Sequence, residues 1–217
     1  MKISSLQKGL VGHWTMSQDS LKGSLLADKT PYENDGIING ATFTTDRMGQ
    51  PNKAMSLNGN DIDISSFSDI GTTHNISMWL KASTDIYLDE RYLFDASDGR
   101  ILLGWGSDTK GKIGLYDGTW RIFGDTPSHN VWHLVTFTMS GTTSKCKMFL
   151  DGVQYGTELD YTPRQINGTI KLGSRYAAIQ ITYYWNGSIS DVRIYNRALS
   201  EPEIKTLYNS YNPKIIL

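Results

Sequence analysis

Four turn pairs, Asn39-Gly40, Asn58-Gly59, Asp117-Gly118 and Asp151-Gly152, cut this chain into short β-forming runs. Asn or Asp before Gly supplies the positive φ that a tight two-residue reversal requires, so each pair predicts a hairpin. The runs between them are rich in β-branched, aromatic and aliphatic residues. Ile76-Ser77-Met78-Trp79-Leu80 alternates with Ile76, Met78 and Leu80 on one face and Trp79 on the other, so both faces of that strand should be covered. Residues 132–139 form a long run that is nearly all β-forming. Short strands at close, regular spacing with glycine-rich turns indicate a β-sandwich or jelly roll.

The final third holds the most informative stretch. From Trp185 to Asn196 a strand places Val192 and Ile194 on one face and Asp191, Arg193 and Tyr195 on the other. Asp191 is a carboxylate in mid-strand, and if covered it needs a partner, a cation being one candidate. Ser200 and Glu203 then have the spacing of a capping box, and Leu199 and Ile204 that of a hydrophobic staple. Ile204, Leu207 and Tyr208 mark one face of a short helix, the one helix expected.

At 217 residues with no linker, low-complexity tract or repeat, the chain reads as one domain, its core about 9–209 and its tail 210–217. A net charge of −1 gives no basic excess to hold nucleic acid through phosphates. The single cysteine, Cys146, precludes an intrachain disulfide and should pack as a small apolar residue. Residues 1–9 hold no run of about 7–15 apolar residues, so no secretory signal is expected, and no segment reaches the roughly 20 apolar residues of a membrane span. Sequons at Asn75, Asn167 and Asn186 are read as chance matches without such a signal.

Taken in order, several segments resemble the laminin-G-like, concanavalin A-like lectin/glucanase jelly roll. They are Gly9-Leu10-Val11-Gly12-His13-Trp14, Asp28 with Asn34-Asp35-Gly36, Lys53-Ala54-Met55-Ser56-Leu57-Asn58-Gly59, and Ile76-Ser77-Met78-Trp79-Leu80-Lys81. The series continues with Trp132-His133-Leu134-Val135-Thr136 and Phe149-Leu150-Asp151-Gly152, and closes with the segment from Gly187 to Ser200. The resemblance implies an all-β, two-sheet antiparallel sandwich with one concave and one convex sheet, to which the residues after Ser200 add the short C-terminal helix. It also implies a structural calcium ion near the chain start and the last strand. Asp191 matches the place of a final-strand ligand, and Asp28 and Asn34 are the best further matches, helped by carbonyls near Trp14. The competing reading is that Asp191 pairs with Arg193 and that Asp28 is a turn residue.

Similar glucanases carry Glu-x-Asp-x-Glu. Here Glu158-Leu159-Asp160 begins such a pattern, but no second glutamate follows, and the nearby proline suits a loop. Asp61-x-Asp63 lacks a glutamate altogether, so no catalytic residue is assigned. His129 and His133 are four apart, which on a strand is ~13 Å, too far to share an ion. Sugar binding needs only aromatic faces beside hydrogen-bonding groups. Trp105, Tyr116, Trp120, Arg121, Tyr183, Tyr184 and Trp185 are the candidates. In the run 183–185 three adjacent aromatics cannot all enter one core. The sequence thus points to a non-enzymatic module for carbohydrate binding or adhesion, suited to a viral or phage surface component. One alternative is a structural virion protein that contacts partner proteins, for which the apolar tail Asn212-Pro213-Lys214-Ile215-Ile216-Leu217 would be suited; a second is a glucanase-like hydrolase, which the missing second glutamate disfavours.

Overall fold

The computed structural model describes residues 5–83, 91–96, 101–105, 111–175 and 184–210. In chain order its strands are β1 (Leu10–Trp14), β2 (Leu21–Lys22), β3 (Leu25–Leu26), β4 (Gly36–Asn39), β5 (Thr42–Thr44) and β6 (Ala54–Ser56). Next come β7 (Asp61–Phe67), β8 (His74–Ala82), β9 (Arg91–Ala96), β10 (Ile101–Trp105), β11 (Lys112–Tyr116) and β12 (Trp120–Asp125). Then follow β13 (His133–Ser140), β14 (Lys145–Leu150), β15 (Val153–Asp160), β16 (Gly168–Leu172), β17 (Gly187–Tyr195) and the helix α1 (Glu201–Ser210).

Two antiparallel sheets stack face to face. Sheet A runs β15-β14-β13-β8-β17-β6-β5, with β1 also paired to β17, and sheet B runs β12-β11-β10-β9-β16-β7-β4-β3-β2. Residues at alternate positions of both sheets fill the space between them. Ile76, Met78 and Leu80 of β8 meet Leu93, Phe94, Leu103, Ile113 and Leu115 from sheet B in one continuous core. This is the sandwich the spacing anticipated, and burying both inner faces is its main stabilisation. Trp79 points the other way, as its alternation requires. On the outer side of sheet A it joins Leu134, Phe149, Tyr195, Leu199, Ile204 and Leu207 in a second apolar cluster.

That second cluster is what α1 covers. The Ser200 backbone N–H and its hydroxyl both donate to Glu203 Oε2, each at 2.9 Å, and Leu199 and Ile204 bury together as the staple. Arg197 adds a two-pronged pairing to Glu203, at 2.8 and 2.9 Å. The Arg197 guanidinium holds the Glu203 carboxyl down to about 2. Helix, cap and strand β17 therefore form one continuous unit.

Two of the four turn pairs depart from the hairpin expectation. Asp117-Gly118 joins β11 to β12 and Asp151-Gly152 joins β14 to β15, both as hairpins. Asn39-Gly40, however, carries the chain from β4 in sheet B to β5 in sheet A, and Asn58-Gly59 from β6 in sheet A to β7 in sheet B. Gly40 and Gly59 do adopt positive φ, 78° and 77°. Turn chemistry sets that local reversal but does not decide which layer receives the next strand. Glu158 and Asp160 lie on strand β15, not in a loop. Cys146 is buried, and burial pushes its thiol up to about 12, in keeping with an apolar packing role. Asn75 is fully buried, so its sequon is inaccessible in the folded chain.

Candidate functional site

The residues singled out near the chain start and the last strand do meet in space. β1 and β6 share one edge of β17: β1 pairs with residues 192–195 and β6 with Ser188 and Ile189. On that edge Ser190 and Asp191 pair with neither strand, and on the other edge the β8 register runs from Ser190 opposite Trp79 to Arg193 opposite Ser77, with Asp191 at φ 48° in the bulge between. The bulge aims its carboxylate at two neighbours. His13 Nε2 lies 2.6 Å from Asp191 Oδ1, and Arg193 Nε donates to the same oxygen at 3.0 Å. Burial acts to raise the Asp191 pKa, but the His13 and Arg193 contacts hold it below the usual carboxylate range.

Asp28 sits on the other side of His13. Its Oδ1 accepts the backbone N–H of His13 and of Thr30, both at 2.9 Å. Its Oδ2 accepts the Thr30 hydroxyl at 2.8 Å, the Asn34 N–H at 3.1 Å and the Asn34 side-chain amide at 3.3 Å. The Asn34 carbonyl in turn accepts the Trp14 indole N–H at 2.8 Å. Asp28 is thus a buried hub that ties the loop before β4 to strand β1.

Calcium would require about six to eight oxygen ligands from such residues. As placed, the two Asp28 oxygens already accept five donors, and Asn34 turns its amide nitrogen toward Asp28. Asp191 faces a guanidinium and an imidazole. The residues do not fit a calcium cage in this arrangement. Among the described residues no group of three or more His, Cys, Asp or Glu side chains is disposed to hold a metal ion.

The aromatic candidates divide. Trp120 and Tyr116 face each other across the β11–β12 hairpin, ring centroids 5.6 Å apart, and both are half-buried. Beneath them lies Tyr92 of β9, fully buried and stacked on Trp120 at 6.2 Å. The Trp120 ring lies against Gly114, where a Cβ would meet it at 3.2 Å. Arg175 lies over the Tyr92 ring at 5.5 Å, and half-buried Tyr184 bridges to Tyr92 through the backbone.

Trp185 and Arg121 are corrections. Trp185 is fully buried in the core between the sheets, so it cannot stack on a ligand. Arg121 pairs in register with Leu115, a core residue, which puts it on the inner side of the sheet edge. There its guanidinium reaches Asp117 at 3.2 Å and Thr162 at 3.4 Å, away from the aromatic face. Tyr183 and the Trp105 side chain lie outside the described residues, as does the tail 211–217.

Register adds residues that no linear reading could join. Trp120 pairs with Tyr116, Tyr116 with Leu102, Leu102 with Asp95, Asp95 with Lys171, and Lys171 with Asp63. Directly paired residues share a face, so the described side chains of this row lie on the side of sheet B away from the core, with Asp95 fully buried midway along it. Lys171 Nζ donates to Asp63 at 2.6 Å and to Asp61 at 3.4 Å. Burial opposes the Lys171 charge, yet these carboxylates raise its pKa. An aromatic pad thus stands at one end of the row and a charged, hydrogen-bonding group at the other.

A family model described as the concanavalin A-like lectin/glucanases superfamily matches residues 56–205. The chain belongs to this superfamily. Solved structures share the fold. Domain 4 of AbnA, an extracellular arabinanase from Geobacillus stearothermophilus determined with arabinotriose, superposes with a TM-score of 0.66 at 18% identity over 92% of this chain and 98% of that one. The binding domain of Paraclostridial Mosquitocidal Protein 1 gives 0.71 at 19% identity, covering 96% of this chain and 54% of that one. Trypanosoma rangeli sialidase with sialic acid gives 0.69 at 16%, covering 94% and 33%. This concanavalin A-like chain spans the whole of the arabinanase domain but about half of the toxin domain and a third of the sialidase. A search of curated proteins gives no match.

Proposed function

We propose that the chain is a non-catalytic carbohydrate-binding module that holds a glycan on the outer face of sheet B. The observation that carries this reading is the Trp120–Tyr116 pad, backed by Tyr92, in one register row with Lys171 and Asp63. Sugars present apolar C–H faces and polar edges, and such a row offers a partner for each. The arabinotriose complex of the similar arabinanase domain supports a sugar as the ligand class.

The carboxylates nearest to a hydrolase pattern support a non-catalytic role. Glu158 and Asp160 on β15 lie 3.6 and 2.6 Å from Lys147 and Lys145, and the Lys145 contact lowers the Asp160 pKa. A general acid needs the opposite shift.

Titration calorimetry against arabino-, gluco- and sialyl-oligosaccharides tests the proposal. One of these classes should bind. Trp120→Ala should then weaken it about 30-fold, the roughly 2 kcal/mol expected of a central aromatic contact. An unchanged affinity in a folded Trp120→Ala variant would contradict the site.

A further inference from the structure

The chain holds four Asn-Gly pairs, at 39–40, 58–59, 167–168 and 186–187. Asparagine before glycine can cyclise, because the glycine nitrogen reaches the asparagine side-chain carbonyl carbon with no Cβ in the way. The fold must leave the asparagine amide unheld, the glycine N–H outside any hydrogen bond, and room for the peptide plane to turn.

The pair at 58–59 meets all three conditions. Asn60 N–H donates to the Leu57 carbonyl at 2.8 Å and so closes a turn in which Gly59 takes φ 77°. Positive φ at the third position marks a type II turn, whose central N–H lies outside the closing bond. Asn58 and Gly59 are both exposed. Among the described residues neither the Asn58 side chain nor the Gly59 N–H has a hydrogen-bond partner. A Cβ built on Gly59 would meet nothing within 4 Å, so the plane between them is free to turn. Leu57, by contrast, is fully buried and donates its N–H to Gly187 at 2.9 Å, which anchors the base of the turn.

The other pairs are held. Asn39 is in register with Asp61, and its amide donates to Asp61 Oδ1 at 2.8 Å. Asn167 is half-buried and engaged by a neighbour, and Gly168 enters β16 opposite Phe67. Gly187 is buried and enters β17 opposite Ala82, with its Cβ position 2.4 Å from the Lys81 carbonyl oxygen.

We propose that Asn58 is a site of spontaneous deamidation and isomerisation in the folded protein, with water as the co-reactant, and that the fold shields the other three pairs. The Gly59 nitrogen gives up its proton to hydroxide and bonds to Asn58 Cγ. The Cγ–Nδ2 bond breaks, and ammonia leaves with a proton taken from water. The five-membered succinimide then adds water. Breaking its bond from nitrogen to Cγ gives aspartate, and breaking the bond to the main-chain carbonyl carbon gives isoaspartate. Either way one neutral amide becomes a carboxylate, and isoaspartate also lengthens the backbone within the turn.

The test incubates the full chain at pH 6 and pH 9, folded and in urea, and follows the four pairs by tryptic peptide mapping. Each pair lies on its own tryptic peptide, and fragmentation that separates isoaspartate from aspartate identifies the products. In the folded chain Asn58 should convert about tenfold faster than any other pair, a difference of 1.36 kcal/mol, the size of one hydrogen bond. Conversion should be faster at pH 9, because the attacking nitrogen must lose its proton, and isoaspartate should be among the products. In urea the four rates should converge. Asn58→Gln, whose longer side chain would have to close a larger ring, should abolish conversion of that peptide. Equal rates at Asn58 and Asn39 in the folded chain, or a preference for Asn58 that persists in urea, would overturn the proposal. Conversion that continues in Asn58→Gln, or that yields aspartate alone, would do the same.

Discussion

Replacing Asp28 with alanine is expected to destabilise the fold by about 3–5 kcal/mol, the range for breaking a buried charged network. The carboxylate is 8% exposed and takes the backbone N–H groups of His13, Thr30 and Asn34. Removing it strands those three donors, and each unsatisfied buried donor costs about 1–3 kcal/mol. Asp28→Asn, which keeps one acceptor oxygen, should lose less. Because the donors belong to the protein, the loss should be the same in excess chelator and in millimolar calcium. Denaturant unfolding of the wild type and both variants measures it. A loss below about 1 kcal/mol, or one seen only with calcium present, would remove Asp28 from its role as a hydrogen-bonded hub.

Acid is expected to act through His74. Its ring is fully buried on the inner face of β8, edge-on to Tyr161 at 6.3 Å. Burial drives its pKa down to about 4 from an ordinary 6.5. Between those values the unfolded chain binds the proton and the folded chain does not, so stability must fall as pH falls. It is complete above about pH 6.5 and lost progressively toward pH 4, by about 3 kcal/mol, at 1.36 kcal/mol for each pH unit of displacement. His74→Phe keeps an aromatic ring without the titration. Unfolding free energies at pH 7, 5.5 and 4 should therefore diverge, with the wild type losing about 3 kcal/mol more than the variant. Parallel curves would contradict a neutral, buried His74.

The fold was legible to the extent that local pattern decides it. Alternation in β8 and β17 put Ile76, Met78, Val192 and Ile194 on faces opposite to Trp79 and Tyr195; the first set lies between the sheets and the second lies under the helix. Ser200, Glu203, Leu199 and Ile204 announced the helix start because cap and staple are local chemistry. Which layer a strand joins is not local, and Asn39-Gly40 and Asn58-Gly59 are spelled like hairpins while crossing between sheets. The site was legible in part for the same reason. Tyr116 and Trp120 face each other across a hairpin that the sequence spells out. Tyr92, Lys171 and Arg175 join them only through pairings between strands distant in sequence, so nothing local marked them. Of the two described residues in the run 183–185, Trp185 is buried in the core and Tyr184 is half-buried, a division that parity alone could not assign.

The central claim is that ligand binds the outer face of sheet B. The most direct measurement follows tryptophan indole resonances of the ¹⁵N-labelled chain during titration with the oligosaccharide that calorimetry selects. The Trp120 resonance should shift and saturate with the calorimetric affinity, while those of buried Trp14 and Trp185 stay in place. Saturable binding that leaves Trp120 unmoved and perturbs Trp79 or Trp132 on the outer side of sheet A would place the site on the wrong sheet.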